Sequence, residues 1–216
     1  MGNFSTKEAS NSDERILKIS SAMDEFEDYT RHRHGAQIAA LCDVLAQEFN
    51  LASHDRLFLR QAALIHDIGE VLMNREYIKS SRILRDDERL DMQRHPVIGE
   101  QEAGKLGLSR AVQLLVRWHH EWWNGSGYPD TLRREQIPLG ARILRVADSF
   151  AALISKRPFR AALSEAEAAR YLTEWAGIEF DPKIVKAFLA LDIQAPSESE
   201  TEKEQTAFTF LSNYAN

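Results

Sequence analysis

Side chains able to bind transition metals recur along this chain at wide intervals. They are three single residues and two adjacent pairs: His34, His66-Asp67, His95, His119-His120 and Asp148. Imidazole nitrogen and carboxylate oxygen together suit borderline divalent ions such as Fe, Mn, Ni or Zn, and a carboxylate can bridge two ions. The pattern therefore predicts a metal-dependent hydrolase with a polynuclear centre.

The segments around these residues have the apolar spacing of helices. Residues 34 to 49 place apolar side chains at steps of three and four from His34, which predicts one buried helix face: Ile38, Leu41, Leu45 and Phe49. His34 should therefore point toward the core. Residues 55 to 68 form a second apolar helix, which we expect Gly69 to end or bend.

Two further helices are predicted in the second half of the chain. The stripe that follows Pro138 has helical spacing and carries Asp148 on an adjacent turn, and Asp181-Pro182 is typical of a helix start. Alternating β-branched or aromatic runs are scarce. The sequence predicts an all-α fold.

Composition limits the setting in which such a site would operate. The 216 residues are 44% hydrophobic and 28% charged, which is enough for a sizeable core. The net charge of −6 argues against binding to duplex nucleic acid, because such binding needs a basic face on the protein. No apolar run approaches the roughly 20 residues of a membrane span, and no secretory signal is visible, so we expect a cytoplasmic protein that does not bind membranes.

Three regions differ in composition. Residues 1–27 are expected to be an N-terminal tail and helix, and residues 28–194 a catalytic domain. Residues 195–216 turn polar and acidic and are expected to form a C-terminal tail. Cys42 is the only cysteine, so no intrachain disulfide can form.

The most specific motif is HHEWWNGSGYP at residues 119–129. It follows ALIHDIG at 63–69 and His95-Pro96 with Gly99, and it precedes RVAD at 145–148 and RPFR at 157–160. In this order the motifs resemble the HD-GYP family of metal-dependent phosphodiesterases, which open cyclic dinucleotides, above all cyclic di-GMP. The resemblance covers residues 28 to 190 and implies an HD-domain helical bundle with a metal centre in its core.

The resemblance also implies roles for individual residues. All seven side chains named first would be metal ligands, and Asp67 would be the bridging, catalytic carboxylate. Thr30 stands where some members carry a glutamate ligand, which favours two divalent transition metal ions over three. Arg157 and Arg160 would contact substrate phosphate, since guanidinium forks suit phosphate oxygens.

The loop that follows the histidine pair has several expected roles. We expect the Glu121 carboxylate to accept the outer N–H of ligating imidazoles, and the other residues to shape the loop: Gly125, Gly127, Tyr128 and Pro129. Its aromatic rings could stack on guanine or shield the metals. In the family this loop is a proposed contact for diguanylate cyclase (GGDEF) domains, which implies a possible protein partner.

Glu70 departs from the family, which has a lysine next to the scissile phosphate at this position. A carboxylate there could bind metal, pair with an arginine, or mark altered activity, and the proton for the leaving group would need another donor. Residues 77–84 also lack the usual Lys-Pro-Gly.

Three functions therefore stay open. The first is hydrolysis of cyclic di-GMP to a linear dinucleotide, or onward to GMP, by a metal-bridging hydroxide. The second is phosphohydrolysis of another nucleotide within the HD superfamily. The third is an inactive, metal-bound signalling module that binds dinucleotide or a cyclase partner.

Overall fold

The computed structural model describes residues 15–23, 34–80, 82–156 and 161–191. Ten helices lie in these ranges: α1 (15–23), α2 (His34–Glu48), α3 (Ser53–Ile65), α4 (Ile68–Met73), α5 (Asp86–Met92), α6 (His95–Lys105), α7 (Arg110–Trp118), α8 (Leu139–Ile154), α9 (Glu165–Glu174) and α10 (Pro182–Ala190). Short 3-10 helices span Glu76–Lys79 and Arg134–Gln136. The described ranges contain no strand beyond one isolated bridge between Ala176 and Phe180. The all-α prediction is confirmed.

Several sequence-based expectations lie outside the described residues. These are Thr30, the phosphate contacts Arg157 and Arg160, the first 14 residues of the N-terminal tail, and the acidic tail at 195–216. None of the helices in the described ranges is long and apolar enough to cross a membrane.

The core forms where α2, α3 and α8 pack together. The predicted face of α2 is buried from His34 to Leu45, with Ile38 and Leu45 inaccessible to solvent, whereas Phe49 follows the end of the helix and is partly buried. The stripe on α8 is buried as well, and its Phe150 packs edge-on against Phe188 of α10 with ring centroids 4.8 Å apart. Burial of these apolar side chains is the main favourable contribution to folding.

The helix predicted for residues 55–68 ends earlier than expected. α3 ends at Ile65, His66 and Asp67 form a turn, and α4 begins at Ile68, so Gly69 lies inside a helix instead of ending one. The physical reason for the glycine is a close approach, since a Cβ at position 69 would lie 2.0 Å from the carbonyl oxygen of His95. Gly69 lets α4 pack against the start of α6.

The predicted start of α10 is confirmed. The Asp181 carboxylate accepts a hydrogen bond of 2.9 Å from the backbone N–H of Lys183, and Pro182 occupies the first helical position. A capping carboxylate satisfies an otherwise unpaired N–H, and proline loses nothing at that position. The cap fixes α10 against α8 and α9.

Candidate metal centre and substrate cleft

The structure brings all seven predicted ligand side chains together in two adjacent groups. One group contains Asp67, His95, His119 and His120, and the other contains His34, His66 and Asp148. Within each group the ligand atoms lie within 4.8 Å of one another. These residues come from five separate segments, four of them helix ends or turns and the fifth the interior of α8, so the bundle as a whole assembles the cluster.

Three of the histidines are oriented by their own backbone. The Nδ1–H groups of His66, His95 and His119 donate to the carbonyl three residues earlier, at 3.0, 2.7 and 2.6 Å. Because Nδ1 carries the hydrogen, the Nε2 lone pair of each neutral ring points away from the helix end. This hydrogen bond to the outer nitrogen is the arrangement that metal-ligating histidines use.

The resulting lone pairs converge without a shared hydrogen. His95 Nε2 and His119 Nε2 are 3.2 Å apart, and Asp67 Oδ1 lies 3.3 and 3.4 Å from them. Both rings carry their hydrogen on Nδ1, so neither Nε2 atom has a hydrogen to donate to the other. The two Nε2 atoms and Asp67 Oδ1 are therefore three acceptors that face one another. Such a set repels unless a proton or a cation lies between its members, and it fits a divalent metal.

Asp67 lies between the two groups. Its Oδ1 faces His95 and His119, while its Oδ2 is 3.1 Å from His66 Nε2. Asp67 Oδ1 and His66 Nε2 are buried and have no hydrogen-bond partner among the described residues. A buried polar atom without a hydrogen-bond partner destabilises the folded state. Binding to a metal ion would satisfy both atoms. The placement suits a carboxylate that bridges two ions.

The second group is completed by Asp148 on α8. Its Oδ1 lies 3.7 Å from His66 Nε2 and 4.0 Å from His34 Nε2. All three side chains are buried, which agrees with the expectation that His34 points into the core. Imidazole and carboxylate donors at these distances fit the same class of divalent ion as the first group.

The electrostatics of the cluster lower the pKa of Asp67 and His120, which favours their metal-binding forms, and raise the pKa of His66 and His95, which favours protonation of these two rings. Burial raises the pKa of the Asp67 carboxyl, but the imidazoles of His66, His119 and His95 together hold that pKa well below its usual range. Burial, together with His119 and Arg145, lowers the pKa of His120 well below its ordinary value. Although burial lowers the pKa of His66, the carboxylates of Asp67 and Asp148 together raise it well above its ordinary value. A proton on His66 would therefore be released when a metal binds.

Arg145 joins the two ligand groups from the α8 side. Its Nη1 is 2.9 Å from His120 Nδ1 and 3.5 Å from Asp148 Oδ2, and its Nη2 donates to Glu179 Oε1. The Arg145 and Glu179 side chains are 14% and 4% exposed, so the pair is largely desolvated. A buried cation beside proposed metal ligands is unusual, because it adds positive charge where metals already supply it.

The carboxylate of Glu121 does not accept from an imidazole of the described residues, so that expectation is wrong. Its oxygens accept the backbone N–H groups of Asp130 and Leu132 at 2.6 and 2.9 Å. The outer nitrogens of His66, His95 and His119 are instead satisfied by carbonyls, and that of His120 by Arg145. Glu121 acts on the site indirectly, by closing the loop that follows the histidine pair.

The same loop packs directly on the metal cluster. Tyr128 stacks on His120 with centroids 4.9 Å apart at 24°, which shields the ring and leaves that face of Tyr128 covered. A Cβ on Gly127 would lie 2.2 Å from the backbone nitrogen of Trp122, so the close return of the loop requires glycine. Gly125 has a φ of +87°, which favours glycine. Pro129 follows a cis peptide bond.

A cleft of about 590 Å³ opens beside both ligand groups. Its wall includes two ligands of the first group and one of the second, Asp67, His120 and Asp148. It also includes further carboxylates and arginines: Glu70, Glu179, Arg82, Arg89 and Arg145. Glu70 thus faces the cleft, and among the described residues it belongs to neither ligand group. The volume lies in the range of about 300–1,000 Å³ that small-molecule sites occupy.

Arg145 and Glu179 were missed as site residues by the sequence analysis. Arg145 belongs to the RVAD motif and lies three residues before Asp148, a spacing that puts two side chains on one helix face, so its position was available from the sequence. Glu179 gave no comparable signal, because it sits in the turn between α9 and α10, 34 positions away from Arg145.

Comparisons with known proteins place this arrangement in a family. The family model described as HD domain matches residues 10–184. A cyclic di-GMP phosphodiesterase of Thermotoga maritima is 31% identical over 193 residues, covering 88% of this chain and 52% of that protein. The 3'3'-cGAMP-specific phosphodiesterase 3 of Vibrio cholerae is 32% identical over 154 residues, covering 71% and 34%. The chain thus spans about half the length of the first relative and about a third of the second.

Solved structures agree on the fold. The crystal structure of a cyclic GMP-AMP specific phosphodiesterase from V. cholerae superposes with a TM-score of 0.64 at 20% identity, covering 82% of this chain and 48% of that one. The resemblance drawn from the motifs is thereby confirmed, as is the helical-bundle architecture. The chain belongs to the HD domain family.

Proposed function

We propose that this chain is a metal-dependent phosphodiesterase that hydrolyses cyclic di-GMP. The observation that carries the proposal is that two groups of metal-binding side chains, linked by Asp67, border one cleft of small-molecule size. A relative named cyclic di-GMP phosphodiesterase aligns with 88% of the chain and supports the choice of substrate.

The residues present fit two divalent transition ions such as Fe, Mn, Ni or Zn. Asp67, His95, His119 and His120 would hold one, and His34, His66 and Asp148 the other, with Asp67 between them. When bound, such ions supply Lewis acidity and make a water nucleophilic near neutral pH. The chain's own contribution is to fix the donor rings through backbone carbonyls and to place the cleft against them.

The charges of the cleft explain why phosphate binding would depend on metal. Four lining carboxylates face three lining arginines: Asp67, Glu70, Asp148 and Glu179, against Arg82, Arg89 and Arg145. Arg82 is also paired with the buried Glu88. A surplus of carboxylates repels an anionic phosphodiester. Two divalent ions would make the net charge of the site positive.

Residues around the cleft would bind and orient the substrate. The proposed phosphate contacts Arg157 and Arg160 lie outside the described residues, and they belong to the proposed catalytic domain at 28–194. With Glu70 on the cleft wall, no lysine is available at that position to protonate the leaving ribose oxygen, so a water or another residue of the cleft would supply the proton.

A second candidate substrate is 3'3'-cGAMP, in which one guanine is replaced by adenine. A relative specific for this nucleotide aligns with 71% of the chain at 32% identity. Since guanine and adenine present different edges to a cleft wall, polar residues such as Glu70 and Arg89 could select between them. Turnover rates measured for cyclic di-GMP and for 3'3'-cGAMP distinguish the two candidate substrates.

We also propose that the loop at 119–129 contacts a diguanylate cyclase domain. Asn124 and Ser126 are exposed at its tip, while Tyr128 is held against His120. Titration of the protein with an isolated GGDEF domain, with Ser126→Arg as the variant, tests the contact. If wild type and Ser126→Arg bind the GGDEF domain with equal affinity, or if neither binds it, the loop is not the contact.

The proposed activity is tested on protein purified without chelator. Bound metals are quantified, and the protein is incubated with cyclic di-GMP or 3'3'-cGAMP in the presence of Mn(II) or Fe(II), with linear product followed by chromatography. Asp67→Asn should lose both metal and turnover, while Asp55→Asn, which changes an exposed carboxylate far from the cleft, should retain both.

The outcomes separate the alternatives. Metal with faster turnover of cyclic di-GMP supports the proposal, and faster turnover of 3'3'-cGAMP replaces the substrate. Metal without turnover of either nucleotide would refute a phosphodiesterase for these substrates and favour a metal-bound signalling module. Absence of metal after reconstitution would refute the metal centre itself.

A further inference from the structure

Arg145 makes a hydrogen bond that conflicts with metal binding by its partner. A guanidinium has only donors, so Arg145 Nη1, 2.9 Å from His120 Nδ1, must donate to that nitrogen. The His120 ring then carries its hydrogen on Nε2, and its single lone pair is taken by Arg145. His66, His95 and His119 have the opposite tautomer, with Nδ1–H donated to a carbonyl and the Nε2 lone pair free for an ion.

A metal at His120 would break this hydrogen bond whichever nitrogen it used. An ion at Nδ1 takes the lone pair that Arg145 occupies. An ion at Nε2 requires the ring hydrogen to move to Nδ1, where two donors would then face each other at 2.9 Å. In both cases the Nη1 of Arg145 loses His120 as an acceptor and keeps only the longer contact of 3.5 Å to Asp148 Oδ2.

We propose that Arg145 and a metal ion compete for His120, and that the arginine released by metal becomes a phosphate-binding group of the cleft. The inference rests on the proposed metal centre and assigns Arg145 as a positioning residue that makes phosphate binding follow metal binding. The released guanidinium would bind an anionic phosphate oxygen.

The surroundings of Arg145 supply what such a role needs. Its side chain lines the cleft together with Asp67 and Asp148. Its Nε is buried and has no hydrogen-bond partner among the described residues, so one donor is already unsatisfied before any release. Once released, Nη1 would be a charged donor for one phosphate oxygen, because Nη2 stays with Glu179 and the Nε–H lies on the other edge of the guanidinium.

Glu179 keeps the guanidinium in place during this exchange. It accepts from Nη2, which is neither the atom bonded to His120 nor the unpartnered Nε. The Glu179 carboxylate is itself buried, so the pair anchors the arginine to the turn before α10. Release from His120 therefore requires a small rotation about the Glu179 contact and no escape of the side chain into solvent.

The test uses a variant that removes the donors without leaving a buried charge alone. Arg145→Met/Glu179→Gln replaces the pair by neutral groups of similar size. The control is Arg142→Met/Asp181→Asn. Arg142 lies about one turn before Arg145 on α8, and its ion pair with Asp181 is similarly buried and does not line the cleft. Asparagine at 181 retains the capping oxygen that α10 needs.

Two affinities are measured on each protein, and neither measurement requires turnover. Competition with a chelator gives the dissociation constant for Mn(II), and calorimetry gives the affinity of the metal-loaded protein for inorganic phosphate. The Arg145 variant should bind the ion at His120 on the order of tenfold more tightly and phosphate on the order of tenfold more weakly. The control variant should change neither affinity, although its stability falls.

The opposite signs of the two effects distinguish competition from a structural role, because loss of order would weaken both. Metal affinity that is unchanged or lower in the Arg145 variant overturns the competition, and unchanged phosphate affinity overturns the phosphate contact. Absence of metal from wild type overturns the proposed function as well, whereas metal bound equally by both proteins overturns this inference alone.

An independent measurement reads the tautomer directly. In metal-free wild type, ¹⁵N-detected NMR should show His120 with hydrogen on Nε2, while His95 and His119 carry it on Nδ1. Addition of Zn(II) should remove the Nδ1 acceptor signature of His120. A His120 ring with hydrogen on Nδ1 in the metal-free protein would contradict the donor direction on which the inference depends.

Discussion

Replacement of Gly69 by alanine should damage one ligand group selectively. The added Cβ would lie 2.0 Å from His95 O, 2.8 Å from His95 C and 3.0 Å from Gly99 N, where ordinary contact begins at 3.4 Å. These are backbone atoms, so no side chain can rotate away, and α4 and α6 must separate by up to 1.4 Å. That shift would carry His95 away from Asp67, which now lies 3.3 Å from it.

The cost can be estimated from overpacking of similar size. Such substitutions cost about 1–3 kcal/mol, and in a protein of this length each kcal/mol lowers Tm by roughly 2–4 °C. We therefore expect Gly69→Ala to lower Tm by roughly 2–12 °C. Metal content should fall from two ions toward one, because His34, His66 and Asp148 do not depend on α6.

Gly104→Ala is the matched control on α6. The nearest atoms to a Cβ at position 104 belong to the side chain of Gln113 at 3.6 Å, so nothing must move. Alanine in a helix interior is favoured over glycine by about 0.5–1 kcal/mol, and Tm should rise slightly with metal content unchanged. Thermal melts with metal analysis of both variants check this, and a Gly69→Ala protein with wild-type Tm and two ions would refute the close-approach argument.

Four further outcomes are expected. Asp67→Asn should lower metal affinity by more than the 10–100-fold typical of a supporting residue, as measured by chelator competition, because it removes the carboxylate that faces both groups. Glu121→Gln should lower the free energy of unfolding in urea by about 1–3 kcal/mol, since one of two backbone N–H groups loses its acceptor. Arg82 holds the pKa of Glu88 at about 2, below the ordinary 4.5, so the Tm difference between wild type and Glu88→Gln should be full above pH 4.5 and vanish as pH falls through 2. Chelation should lower Tm reversibly, because ions that bind only the folded chain stabilise it.

The sequence was sufficient for the architecture and for the types of ligand. Helical spacing located α2 and α8, and the capping pair Asp181-Pro182 located the start of α10, because these signals depend on residues that are close in the chain. The motif order also indicated which seven side chains to consider. What spacing could not give was the division of the ligands into two groups, which depends on how α3, α6, α7 and α8 cross in space.

Side-chain partners were the least predictable level. Glu121 sits beside two histidines in sequence, yet its carboxylate accepts from backbone nine and eleven residues later, because the loop folds back over it. The Arg145 contact to Glu179 spans 34 positions and links α8 to the turn before α10. Neither contact leaves a local pattern, since one depends on the return of a loop and the other on the packing of completed helices.

The carbonyl contacts of His66, His95 and His119 also bear on how the site tolerates substitution. Each ring is aimed by a main-chain oxygen of its own turn, and a main-chain oxygen is present whatever residue occupies that position. The residues that provide these oxygens, Ala63, Met92 and Val116, can therefore change identity without changing ring direction, as long as the turn is kept. A saturation mutagenesis scan should consequently show narrow tolerance at the rings and at Gly69, with broad tolerance at Met92, three residues before the ligand His95.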